Sequence, residues 1–180
     1  MLYMFFAQGF EEVEAIAALD VIRRADIQTK SVGVGDKIIT GSHSISIVCD
    51  ITTDDLNDFD DADGVILPGG MPGTLNLNDS EKVQEAINYC YENNKLICAI
   101  CAAPLILGRK NILSGKDAVC FPGFEEELTG AKISDEYVCT CDNIITAKGM
   151  GSAVNFGLAV VAYFKGQAFA DNLKSTLQCS

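Results

Sequence analysis

Short apolar runs recur along the chain, each stopped by a turn signal and most followed by residues at helical spacing. LYMFFA (2–7) halts at Gln8-Gly9, DGVILP (63–68) at Gly69-Gly70, and KLICAI (95–100) at Cys101. Runs without polar alternation are the pattern of strands buried on both faces. Between them, GFEEVEAIAALDVIRRAD (9–26) reads as a helix, acidic at its start and basic at its end in agreement with the helix dipole. SEKVQEAINYCYENN (80–94) reads as another, with a Ser cap and an Asn-Asn stop. IQTKSVGV (27–34) supplies a second strand, and residues 37–49 a hairpin arm. AAPLILGRKN predicts a helix after the 95–100 strand. DAVCF, YVCTC and NIITAKG predict later strands, and SAVNFGLAVVAYFKG (152–166) an apolar helix with one more behind it. Strand–helix alternation of this kind predicts an α/β fold, a mostly parallel sheet with helices on both faces. Ligands of such sheets gather at the carboxyl ends of the strands, near the switch in strand order. Gln8-Gly9, Gly69-Gly70 and Cys101 should therefore meet.

At 180 residues one domain, 1–180, is expected, and a chain of this length buries roughly 70% of its unfolded surface. Thirteen basic against 25 acidic residues leave a net charge of −12. That balance argues against nucleic-acid backbones and anionic membrane surfaces as partners. No apolar stretch reaches the ~18 residues of a membrane span. The start, MLYMFFAQG, lacks a basic leader, so the eight cysteines are expected as reduced thiols of a cytoplasmic protein.

Two of those thiols stand as Cys98-x-x-Cys101. A redox dithiol usually straddles the first turn of a helix, whereas Cys98 falls inside a strand and three residues of strand separate the two sulfurs onto opposite sides. Cys98 is expected in the core. A four-thiolate zinc site with Cys139 and Cys141 is also disfavoured, because structural zinc pairs sit on tight Gly-containing knuckles. No metal and no cofactor are expected, and neither a Walker loop nor a GxGxxG is present.

Cys101 lies at the strand-to-helix corner, where a nucleophile elbow presents its side chain and the following N–H groups face it. Pro104 suits the opening turn of the next helix. Spacing alone fits a reactive thiol and an inert buried one equally well. Glu11, Glu12 and Glu14 open the first helix at the same sheet edge. They read either as partners of the dipole or, for one facing Cys101, as a carboxyl whose proton is shared with the sulfur. His43, the single histidine, has no spacing that ties it to Cys101 and reads as a surface or interface residue.

The stretches AQGFEEVEAIAALDVIRRAD, VILPGGMPGTLNL, KLICAICAAPLILG and AKGMGSAVNFGLAVV together resemble the ThiJ/PfpI superfamily, in particular its Parkinson-disease-associated protein deglycase branch. The resemblance runs along essentially the whole chain. It implies a flavodoxin-like three-layer sandwich and a homodimer. It implies a reactive Cys101 with Glu14 as its protonated partner, an oxyanion pocket from the N–H groups of Gly70 and Ala102, and an acid–base pair, Asp20 and Arg24, near that pocket. Many relatives carry His-Pro facing the cysteine; here Phe121-Pro122 stands there, so no imidazole is available. Ala103 stands where Gly is common. Ala102 replaces the His that follows the cysteine in the peptidase branch, which argues against an intracellular peptidase. The implied function is a cofactor-free, cysteine-dependent enzyme acting on reactive carbonyls, of glyoxalase or deglycase type. The alternative is a peroxide-sensing or chaperone-like stress protein using the same thiol. A thiazole-monophosphate biosynthetic role fits less well, since no phosphate loop is present. The expected partner is a small carbonyl compound or peroxide.

Overall fold

The computed structural model describes residues 1–179. Seven strands form one sheet in the order β10-β11-β7-β6-β1-β2-β5. They are β1 (Leu2–Phe6), β2 (Thr29–Gly33), β5 (Ile51–Thr52), β6 (Gly64–Leu67), β7 (Leu96–Ile100), β10 (Val138–Cys141) and β11 (Ile144–Ala147). All pairings are parallel except β10 with β11. The hairpin arm forms its own two-stranded antiparallel sheet, β3 (Ile38–Thr40) with β4 (Ser46–Val48). Two very short strands, β8 (Asp117–Ala118) and β9 (Lys132–Ile133), pair apart from the main sheet, so the strand expected at DAVCF does not extend it.

The helices are α1 (Glu12–Arg24), α2 (Gly73–Asp79), α3 (Glu81–Glu92), α4 (Pro104–Arg109), α5 (Ala153–Lys165) and α6 (Gln167–Thr176). The first helix begins three residues later than its sequence pattern suggests, because the Glu11 side chain caps it by accepting from the Glu14 N–H. Helix α2 has little amphipathic signal and was not anticipated. The Asn-Asn stop is real: Asn94 takes a left-handed φ of 52° after α3.

Period-two alternation sorts the strands' side chains into two cores. Met4, Phe6, Ile66 and Cys98 face one side, where Phe10, Ala18 and Phe156 of the α1–α5 layer cover them. Tyr3, Phe5, Val65, Leu67 and Ile97 face the other, under Ile87 of α3 and Leu105 of α4. The result is an α/β three-layer sandwich. The chain runs from β1 outward to β2, then returns to place β6 on the other side of β1. The reversal between β1 and β6 is the switch in strand order.

Candidate functional site

Beyond the carboxyl ends of β6 and β7, three backbone segments converge on two side chains. Helix α1 contributes Glu14 from its first turn, 2% exposed. The turn after β6 holds it. The Gly69 N–H donates to Oε2 of Glu14 at 3.2 Å. Its carbonyl accepts from the Glu11 N–H at 2.9 Å, while Oε2 of Glu11 accepts from the Glu14 N–H at 2.7 Å. Glycine is required here by proximity: a Cβ on Gly69 would lie 2.5 Å from both Oε2 of Glu14 and the Cβ of Cys101. Gly70 adopts a left-handed φ of 93° and would bring a Cβ to 2.3 Å from the Glu11 nitrogen.

Cys101 itself sits at φ 65°, a left-handed conformation that a non-glycine residue holds only when its surroundings impose it. Both sides of the residue do so. Its N–H donates to the Ala147 carbonyl at 2.9 Å and its carbonyl accepts from the Phe121 N–H at 2.8 Å. Helix α4 then starts with Pro104 in its first position. This is the geometry of a nucleophile elbow, with the thiol half-buried at the top of the sheet.

The Glu14 carboxyl and the Cys101 side chain lie together over Gly69, close enough that each shifts the other's ionisation. Burial pushes the Glu14 carboxyl up to about 7, against the downward pull of its bonds to Cys101 and to the N–H groups of Gly69 and Met150. Burial, then the charge and hydrogen bond of Glu14, push the Cys101 thiol up to about 12, against the N–H groups of Ala102 and Gly70. Neither group ionises easily beside the other. The pair therefore loses its first proton near 7 and keeps the second well above neutrality, with two backbone donors at each group. Gly70 and Ala102 thus stand at the sulfur, and Gly69 and Met150 at the carboxyl.

Phe121, joined to the Cys101 carbonyl by its backbone, holds its ring 47% exposed at the rim of this site, and the exposed Pro122 follows it. Asp20 and Arg24 do pair with each other, 2.7 Å apart across one helical turn. The pair lies on the exposed flank of α1, with Asp20 about 9 Å along the axis from Glu14 at 1.5 Å per residue. The structure does not bring these two to the thiol.

The remaining acids of the first helix have other work. Glu12, 3% exposed, accepts from the His43 N–H at 2.7 Å, and its other oxygen lies 3.0 Å from Nδ1 of His43. Burial alone would raise its pKa, but the His43 ring, the His43 N–H and the Ile45 N–H outweigh it and hold Glu12 at about 2. Glu11, Glu12 and His43 bring ligand-type atoms within 4.8 Å of one another. The oxygens of Glu12 are already satisfied by the hairpin, so the cluster acts as a latch between α1 and the β3–β4 hairpin. Cys98 lies in the α1–α5 core, whereas Cys139 and Cys141 flank Thr140 on β10, whose Val138 and Thr140 face α5. The four cysteines are therefore split between the two faces of the sheet, and cannot surround one ion.

Sequence reasoning placed Gly69 at the site but missed its bond to Glu14, and it missed Met150 and the cap by Glu11. The strand read from NIITAKG ends at Ala147, two residues early, and a backbone donor such as Met150 leaves no mark in residue type.

The DJ-1/PfpI family model matches residues 1–163. The Danio rerio Parkinson disease protein 7 homolog is 32% identical over 175 residues, covering 95% of this chain and 93% of that protein. The Arabidopsis thaliana protein DJ-1 homolog B is 33% identical over 163 residues, 89% of this chain; the chain spans 37% of that longer relative. A Caenorhabditis elegans protein named glutathione-independent glyoxalase DJR-1.2 is 30% identical over 169 residues, covering 93% of this chain and 89% of that protein. The solved structure of oxidized Toxoplasma gondii DJ-1 superposes with a TM-score of 0.94 at 27% identity, covering 99% of this chain and 98% of the other. In fold and over most of its length in sequence, the chain belongs to the DJ-1/PfpI family.

Proposed function

We propose that the chain is a cysteine-dependent enzyme of glyoxalase or deglycase type, acting on small reactive carbonyls in stress protection and needing no cofactor. One observation carries this reading: Cys101, held at a left-handed corner, and the buried carboxyl of Glu14 both lie against the bare face of Gly69. The glyoxalase name of the Caenorhabditis elegans relative supports it.

The Cys101 thiol passes its proton to the Glu14 carboxylate as the sulfur adds to the aldehyde carbon of a 2-oxoaldehyde, which leaves Glu14 protonated. The N–H groups of Gly70 and Ala102 face the region where the alkoxide develops, and the Glu14 proton neutralises it as a hemithioacetal. The Glu14 carboxylate then removes the proton on that carbon and returns it to the neighbouring carbonyl carbon through an enediol. The first carbon is thereby oxidised and the second reduced, which leaves a thioester of a 2-hydroxy acid. Water cleaves the thioester, so oxoaldehyde plus water gives hydroxy acid and the free thiol. His43, held by Glu12, takes no part, and with Ala102 after the cysteine a peptidase mechanism has no imidazole. A thiazole-monophosphate role fits less well, since the sequence carries no Walker-type phosphate loop.

Methylglyoxal incubation followed by lactate measurement tests this. Wild-type protein should form lactate, Cys101→Ser none, and Glu14→Gln roughly 100-fold less or below, the lower range for loss of a general acid–base. Lactate at the mutants' level in the wild type would overturn the proposal. The second reading, a peroxide sensor or chaperone-like protein, is favoured by the same juxtaposition, since a protonated Glu14 would donate to an oxygen of sulfinylated Cys101. Peroxide titration with intact-mass analysis should then add oxygen at Cys101 before any other cysteine. Oxidation elsewhere first would remove that reading.

A further inference from the structure

We infer that Phe121 sets the substituent the site accepts, so that its preferred substrates are 1,2-dicarbonyls bearing an apolar group, aryl above methyl. The inference rests on the carbonyl chemistry proposed for Cys101 and Glu14.

The carboxyl of Glu14 lies between two glycines. On one side is Gly69, whose missing Cβ would touch Oε2 of Glu14 and the Cβ of Cys101. On the other is Gly149, where a Cβ would lie 3.6 Å from Oε1 of Glu14 and 3.2 Å from Cδ2 of Phe121. The bare face of Gly149 therefore opens between the carboxyl and the edge of the ring. The bond from the Phe121 N–H to the Cys101 carbonyl ties the Phe121 backbone to the elbow. The side chain remains half exposed although the ring is apolar, so a ligand can still cover it. Met71, which follows Gly70, and Met150, whose N–H serves Glu14, also leave large apolar side chains exposed beside the backbone donors. An adduct on Cys101 would keep its two reacting carbons next to Glu14. Its substituent would extend past Gly149 onto the ring, where an aryl group gains an aromatic contact. A carboxylate substituent would meet Glu14, Glu11 and a chain of net charge −12.

The test measures kcat/KM for phenylglyoxal and methylglyoxal in the wild type, Phe121→Ala and Phe121→Leu. A parallel measurement compares Cys101 alkylation by N-phenylmaleimide and N-methylmaleimide, mapped by mass spectrometry, which requires no turnover. The aryl-to-methyl ratio should fall roughly three- to tenfold in Phe121→Ala in both assays, the worth of one aromatic contact, and partly recover in Phe121→Leu. Unchanged ratios in a folded Phe121→Ala would overturn the inference. If no variant turns over either oxoaldehyde while the maleimide ratio still falls, the selectivity assignment stands and the enzyme reading fails instead.

Discussion

Among single residues, the two that matter most were also the most legible. Cys101 could be singled out because an apolar strand ended on it and Pro104 followed three residues later. Glu14 could be singled out only as one acid of three. What separates them is helical geometry read in three dimensions: Glu11 turns back to cap α1, Glu12 turns to the hairpin, and Glu14 turns into the sheet edge. The left-handed φ of Cys101 was implied by the elbow but has no signature in residue type. Backbone donors are equally silent, which is why Gly69 was placed at the site without its role as a donor to Glu14, and Met150 was not reached at all. Asp20 and Arg24 show the opposite failure. The family resemblance implied this ion pair, and the two side chains do meet, but a resemblance carries no information about how far from the helix start the site of this chain extends.

Among elements, the long buried strands and helices were readable from periodicity, while short pieces were decided by contacts. β8 and β9 have two residues each, too few for alternation to register, and they pair with each other instead of joining the sheet. The β3–β4 hairpin was readable as a hairpin, but its attachment was not, because it depends on Glu12 reaching residues 31 to 33 positions away. That attachment has a measurable consequence. Glu12→Gln leaves the hairpin N–H groups with a weaker acceptor and should cost about 1–3 kcal/mol. Urea unfolding and amide exchange at residues 41–45 measure it, with faster exchange expected there first. Because the folded Glu12 is depressed to about 2, its contribution is complete above the ordinary carboxyl value near 4.5. It fades as pH falls towards 2, so the difference between wild type and Glu12→Gln should shrink on acidification. A difference that is flat with pH would show that Glu12 does not hold the hairpin as a charged latch.

For the whole molecule, fold class was readable because alternating strands and helices admit few arrangements, and the seven-stranded sheet follows that logic. Association was not readable from pattern alone. Val13 and Ile16 on α1 and Ile38, Ile45 and Val48 on the adjoining hairpin are exposed, an apolar face of the kind a second copy of the chain would cover. We propose a homodimer through this face: sedimentation should give twice the 19.3 kDa chain mass, and Ile45→Lys with Val48→Lys should return a monomer. A wild-type monomer at high concentration would refute it. The fold as a whole brings the ends of α1, β6, β7 and β11 together around one thiol and one carboxyl, and the account stands on their sharing a single charge. The most direct measurement is the rate of Cys101 alkylation against pH in wild type and Glu14→Gln. The wild-type rate should rise through an inflection near 7, where the pair loses its first proton, and Glu14→Gln should lose that inflection. Identical profiles in the two proteins would mean that the carboxyl and the thiol titrate independently, and would contradict the account.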